Sequence, residues 1–296
     1  MHKVYPSLER HKNINLPEEN WTKVITPPRG LGHISWKELW EYRELIGLFA
    51  HRDFVSIYKQ TVLGSVWHIL QPLLQTLVFV LIFSGILNTS TDGVPPILFF
   101  LSGIACWRYF SDCAIKISTT FTTNQAIFDK IYFPRLVAPI AEMIVNFLGF
   151  LVQILLFILL YLIFWGEGAA IRPNLHLFIV PGLIFELGAL ALGVGCLMAA
   201  LTTRYRDLTM SIPFFMQLGM YASCVVFPLS QVSPRIRWII ELNPFVPIIE
   251  AFRYAFMGSG AVTLIQILYG TLISVLVAVL GVMVFNKVAR VSVDSA

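Results

Sequence analysis

Between Lys59 and Asp92 the chain carries no charged side chain. An α-helix rises 1.5 Å per residue, so about 20 apolar residues cross the hydrocarbon core of a bilayer. A run of this length places the chain in lipid. Comparable runs recur, and the expected spans cover residues 62–87, 96–115, 143–165, 175–201, 209–229 and 264–286. Glycine and proline inside such runs are tolerated, because neighbouring helices satisfy the backbone groups they free. Composition agrees. Hydrophobic residues make up 57% of the chain and charged residues 13%, where a soluble domain carries roughly a quarter charged. The expected fold class is an all-α integral membrane protein of about six transmembrane helices.

The net charge of +4 is no signal for nucleic acid, because the positions of the charges matter more than their sum. The first residues are polar, and no signal peptide is visible. With the N-terminus inside, the cytoplasmic segments hold Lys3, Arg10, Lys12, Lys23, Arg29, Lys37, Arg43, Arg52, Lys59, Lys116, Lys130, Arg135, Arg204, Arg206, Lys287 and Arg290. The outer segments hold only Arg172, Arg235, Arg237 and Arg253. Excess Lys and Arg mark the cytoplasmic side, so both termini are expected there. This divides the chain into a polar segment 1–34, an interface helix and elbow 35–61, a transmembrane domain 62–286 and a tail 287–296.

Three segments are not spans. In residues 35–53, Ser35 followed by Glu38 forms a capping box. Leu39, Tyr42, Ile46 and Phe49 then share one helical face, and Trp36 and Trp40 suit the headgroup layer. An amphipathic helix on the inner membrane surface follows. In the loop 116–139, Asn124 can cap a short helix that Pro134 must end. Ile127, Phe128 and Ile131 form its apolar face, which either docks a partner or packs under the bundle. The segment 230–260 is apolar but broken by Pro234, Pro244 and Pro247, and it carries Arg235, Arg237, Glu241, Glu250 and Arg253. Two short re-entrant helices near 233–257 or a surface-lying outer loop fit it.

Catalytic and metal motifs are absent. No GxxxxGK[ST], HExxH or GxSxG occurs, so ATP hydrolysis by this chain alone is not expected. Cys106, Cys113, Cys196 and Cys224 form no CxxC pair and read as packing thiols. Arg108 and Asp112 stand one turn apart and can pair, or Arg108 can meet an anionic headgroup. Glu186 has no obvious partner in sequence. Trp67, Trp107, Tyr109, Phe110, Phe214, Phe215 and Tyr221 place rings in spans. Such rings either line a path or pack helices.

The run LWEYRELIGLFAHRDFVSIYKQTVLGSVWHILQPLLQTLVF resembles the start of the membrane subunit of polysaccharide-exporting ABC transporters of the type-2 exporter family. FFLSGIACWRYF, IFDKIYFPRLVAP and LNPFVPIIEAFRYAF follow in the order that family shows. The resemblance implies a pore of two copies in the bacterial inner membrane, each copy binding a separate ATPase subunit that holds ATP and Mg. It implies a coupling helix of Ala126, Ile127, Phe128, Asp129, Lys130, Ile131 and Tyr132, with Arg135 beside it. It implies a gate helix carrying Trp36, Leu39, Trp40, Ile46 and Phe49, and an outer cap of two short helices. Arg52, Lys59 and Arg108 become candidates for the phosphates of a lipid-diphosphate-linked glycan. O-antigen is the favoured cargo; teichoic acid, capsule or a smaller lipid or drug are alternatives. A membrane enzyme acting on lipid-linked sugars is the rival from another class, with Glu241 and Glu250 as its local acid pair.

Overall fold

A computed structural model describes residues 36–59, 66–128, 130–131, 133–260 and 262–294. The segment 1–34, Ser35 with its capping box, Asp129 and Tyr132 lie outside the described residues.

Every regular element among the described residues is helical. Two short-range helices open the fold, α1 (Trp36–Glu41) and α2 (Arg43–Tyr58). Helix α3 (Trp67–Phe79) continues through a π-helical stretch, Val80–Ile86. Helix α4 spans Pro96–Ser118, and two single turns follow, α5 (Thr120–Thr123) and α6 (Gln125–Phe128). Helix α7 spans Val137–Gly166 and α8 spans Val180–Arg204. Then come α9 (Leu208–Tyr221), α10 (Pro234–Glu241), α11 (Phe245–Met257) and α12 (Leu264–Asp294).

Among the described residues, four helices are long and apolar enough to cross a membrane: Trp67–Ile86, Val137–Gly166, Leu175–Arg204 and Leu264–Ala289. Two of the six expected spans differ. Helix α4 has the length, about 34 Å for its 23 residues, but Arg108, Asp112 and Lys116 make it less apolar. It sits against α3, α7, α8 and α11, and Leu98, Phe99, Phe100, Leu101, Ile104 and Ala105 are all buried. A helix wrapped by protein needs no continuous lipid-facing surface. The expected span 209–229 is not one helix. Helix α9 stops after 14 residues, and the chain turns with Cys224 at φ 54°.

That turn leaves carbonyls without helical donors inside the protein. Arg253 of α11, with its side chain only 1% exposed, supplies them. Its Nη1 donates to the Cys224 carbonyl at 2.7 Å, and its Nη2 to those of Val225 at 3.0 Å and Phe99 at 3.2 Å. Glu250, equally buried, balances the charge at 3.3 Å. The guanidinium also lies 3.6 Å from the centre of the Phe99 ring, a cation–π contact. The proline-broken segment therefore forms two short helices, and α11 is locked to α4 and to the turn after α9.

Helices α8 and α12 cross at glycine. A Cβ on Gly193 would sit 2.5 Å from the Val277 carbonyl oxygen, and one on Gly281 would collide with the backbone of Gly193. Small residues at such crossings let backbones approach closely in lipid. Glu186 does find partners here. Thr271 and Ser274 of α12 donate to its two oxygens at 2.9 and 3.3 Å.

Replacing Arg253 with Met leaves Glu250 buried and unbalanced and strands the Cys224 and Val225 carbonyls, at a cost of about 3–5 kcal/mol. The expected outcome is a large drop in the melting temperature of the detergent-purified protein; an unchanged transition would refute the assignment. Gly281→Leu should pry α8 from α12 and cost about 1–3 kcal/mol by overpacking, read by the same melt.

Candidate functional site

The connection from α4 to α7 is built of single turns. The expected helix near 124–133 reduces to α6, and Asn124 stands between α5 and α6 as the C-cap of one and the first acceptor of the other. Its backbone carbonyl receives the amides of Ile127 and Phe128 at 3.0 Å. Its buried side chain does not cap. Nδ2 donates to the Thr120 carbonyl at 3.2 Å, and Oδ1 accepts from Arg52 Nη2 at 3.1 Å.

Arg52 comes from α2. Its Nε donates to Asp53 Oδ1 at 2.7 Å and its Nη2 to Asp53 Oδ2 at 3.1 Å. The guanidinium lies 4.5 Å from the Phe49 ring centre. A residue expected at a phosphate is thus already engaged by acceptors of its own chain. Arg108 is engaged too, donating from Nη2 to Gln71 Oε1 at 2.9 Å and lying 3.8 Å from Asp112. Lys59 is exposed at the end of α2.

A chain of phenylalanines runs under the loop. Phe49 of α2 meets Phe133 at 5.7 Å, Phe133 meets Phe128 at 5.5 Å, and Phe128 meets Phe121 at 6.1 Å between ring centres. Phe121 stacks on Phe285 of α12 at 4.6 Å. These separations are those of favourable aromatic pairs. Arg135 lies 5.1 Å from the centre of the Phe128 ring. The predicted apolar face is therefore split. Phe128 points inward and Ile127 is half-buried, while Ile131 is 62% exposed beside exposed Ala126 and Lys130.

The interface helix breaks at Tyr42, whose φ of −92° and ψ of 16° depart from the helix. On either side of the break Leu39 and Phe49 are buried and Ile46 half-buried, so the predicted face does pack. Helix α2 lies on α7. Trp40 is exposed, with Arg43 5.8 Å from its ring. The side chain of Trp36, the first residue of α1, lies outside the described ones.

The candidate path aromatics fall into two groups. Trp107, Tyr109 and Phe110 are buried in the bundle. Trp107 packs on Phe245 at 5.0 Å, Phe110 on Phe245 at 5.6 Å, and Tyr109 stacks on Phe150 at 5.0 Å. These three pack helices and present no surface. Trp67 on α3 and Phe214, Phe215 and Tyr221 on α9 are exposed. The two helices touch where Gln75 Nε2 donates to Met220 Sδ at 3.6 Å.

The acids of the enzyme alternative are both committed. Glu241 holds Arg237 at 2.7 Å, and Glu250 holds Arg253. Among the described residues no cluster of three or more His, Cys, Asp and Glu is arranged for a metal. Sequence reasoning missed Asn124 as the partner of Arg52, and it missed Phe121, Phe133 and Phe285. Nothing in linear spacing links these positions. For Arg253 a signal existed, a charge inside an apolar, proline-broken segment.

Similarity to known proteins now bears on this arrangement. Residues 44–257 match the family described as ABC-2 type transporter. An O-antigen export system permease protein, RfbA of Klebsiella pneumoniae, is 27% identical over 246 residues, covering 82% of this chain and 92% of that one. A polysialic acid transport protein, KpsM of Escherichia coli, is 27% identical over 210 residues, covering 70% and 78%. A capsule polysaccharide export inner-membrane protein, CtrC of Neisseria meningitidis serogroup B, is 23% identical over 265 residues, covering 86% and 95%. The family match runs from α2 through α11, across the interface helix, the α4–α7 loop and the Arg253 lock, and this chain belongs to the ABC-2 type transporter family.

Proposed function

We propose that this chain is the transmembrane subunit of an ATP-driven exporter that moves a lipid-linked polysaccharide across the bacterial inner membrane. O-antigen is the favoured cargo, supported by the RfbA relatives at 27% and 26% identity. Capsule-type polymers are next, supported by KpsM and CtrC. Two copies form the pore, and each takes one separate ATPase subunit that binds ATP and Mg. Both termini face the cytoplasm in this reading.

The observation that carries the reading beyond the family is the α4–α7 loop. It presents an exposed apolar residue, Ile131, outward while Phe128 is seated inward on Phe133, which in turn meets Phe49 of the interface helix. A partner that grips Ile131, Ala126 and Lys130 from the cytoplasm gains a handle on the spans. Helix α2 acts as the gate at the inner leaflet, and exposed Lys59 meets the diphosphate of the carrier lipid, where anionic groups attract basic side chains. The exposed rings of α3 and α9, Trp67, Phe214, Phe215 and Tyr221, offer stacking surfaces to sugar C–H faces. Helices α10 and α11 form the outer cap.

Two experiments test this. The chain, tagged and expressed with the genes that neighbour its own, is expected to purify with a stoichiometric ATPase; purification alone would remove the reading. Ile131→Glu should lower polysaccharide export about tenfold, equivalent to ~1.4 kcal/mol of lost docking. The ATPase is expected to keep hydrolysing ATP in that variant, and undiminished export would rule out the loop as the docking point.

A further inference from the structure

The loop between α4 and α7 is joined to two different helices by two different kinds of contact. The geometry points to Asn124 and Phe121 as the roots of two branches. One is polar and runs through Arg52 to the interface helix α2. The other is aromatic and runs through Phe285 to the last helix α12. The inference rests on the reading of this loop as the docking point of an ATPase.

Asn124 is built as a fixed point. Its own amide bonds the Thr120 carbonyl at 3.1 Å, and its side-chain Nδ2 bonds the same carbonyl at 3.2 Å, tying it to α5. Its carbonyl takes the amides of Ile127 and Phe128, tying it to α6. A displacement of either turn therefore displaces Oδ1. The acceptor offered to Arg52 is rigid, and so is the donor, because Asp53 clamps the guanidinium through both of its oxygens. Such a bond is directional and is lost when donor and acceptor separate beyond about 3.5 Å. It has two states, made and broken. Arg52 is a positioning residue in this scheme.

Phe121 behaves differently. Its ring lies face to face with that of Phe285 at 4.6 Å and 26°, and both side chains are buried. Offset stacked rings keep attraction as they slide. Helix α12 therefore follows the loop gradually, and α2 is held or released. Helix α2 has a second grip on the loop at Phe49 and Phe133, one turn before Arg52. When the polar tie breaks, this apolar contact keeps α2 attached while its Arg52 end is freed.

The test uses the complete complex, with its ATPase, in vesicles loaded for export. Arg52→Met and Asn124→Ala should each lower export per ATP hydrolysed about tenfold, the loss of one charge-assisted hydrogen bond. The double variant should be no worse than either single one. Phe285→Ala combined with Arg52→Met should instead multiply the two losses, because the branches are separate. ATP hydrolysis should persist in all, since the exposed docking residues are untouched. Multiplying losses for Arg52 and Asn124, or export unchanged in both, overturns the proposal. A second measurement covers variants that fold poorly. Arg52→Cys with Asn124→Cys, bridged by a short reducible crosslinker, should stop export while hydrolysis continues, and reduction should return export to the lowered level of the unbridged variant. The four native cysteines are buried and stay unlabelled. Export by the bridged complex also overturns the proposal. A wild-type complex that shows no ATP-driven export fails the exporter reading itself, which is a separate result.

Discussion

A single guanidinium solves the problem that shapes this fold. In a low-dielectric interior every backbone carbonyl needs a donor, and in an all-helical chain a break in a helix leaves some without one. Helix α9 ends well short of a full span, and the chain turns back within the protein. Arg253 donates to Cys224, Val225 and Phe99, and Glu250 neutralises it in place. Burying an ion pair is costly, and it persists where its hydrogen bonds are nearly all made. Here the pair satisfies carbonyls that would otherwise cost several kcal/mol in total. Without it α11 would lose its polar ties to α4 and to the turn after α9.

The same economy appears at the opposite end of α4. Thr202 of α8 donates to the Ser118 carbonyl at 2.7 Å where α4 ends. From there the loop of single turns connects to α2 through Arg52 and to α12 through Phe121. Polar ties and ring contacts thus occupy the two ends of a bundle in which small residues, Gly193 against Gly281, bring α8 and α12 together.

The aromatic content of 14% invites a single explanation, and the structure divides it. Trp107 and Phe110 surround Phe245, and Tyr109 lies on Phe150, so these rings build the interior. The rings on α9, Phe214, Phe215 and Tyr221, stand outside it. Both groups sit in apolar runs with similar neighbours, and only the packing separates core from surface.

The sequence by itself determined the solvent, the helical class, the amphipathic stripe of Leu39, Ile46 and Phe49, and the breaks in the proline-rich segment, which it left as two short helices or a surface loop. Each follows from local rules: run length against bilayer thickness, helical period, and the inability of proline to continue a helix. Motif order also pointed to the family. Tertiary structure decided the rest. It chose which side of the loop faces in, placing Phe128 inside and Ile131 outside. It gave Arg52 to Asn124, Arg108 to Gln71 and Glu186 to Thr271 and Ser274. It shortened the span expected at 209–229 and enclosed α4. These outcomes depend on pairs far apart in sequence, and in a chain this apolar almost any face can be buried without penalty. What discriminates is where the few polar groups find partners, and that is settled only when the helices come together.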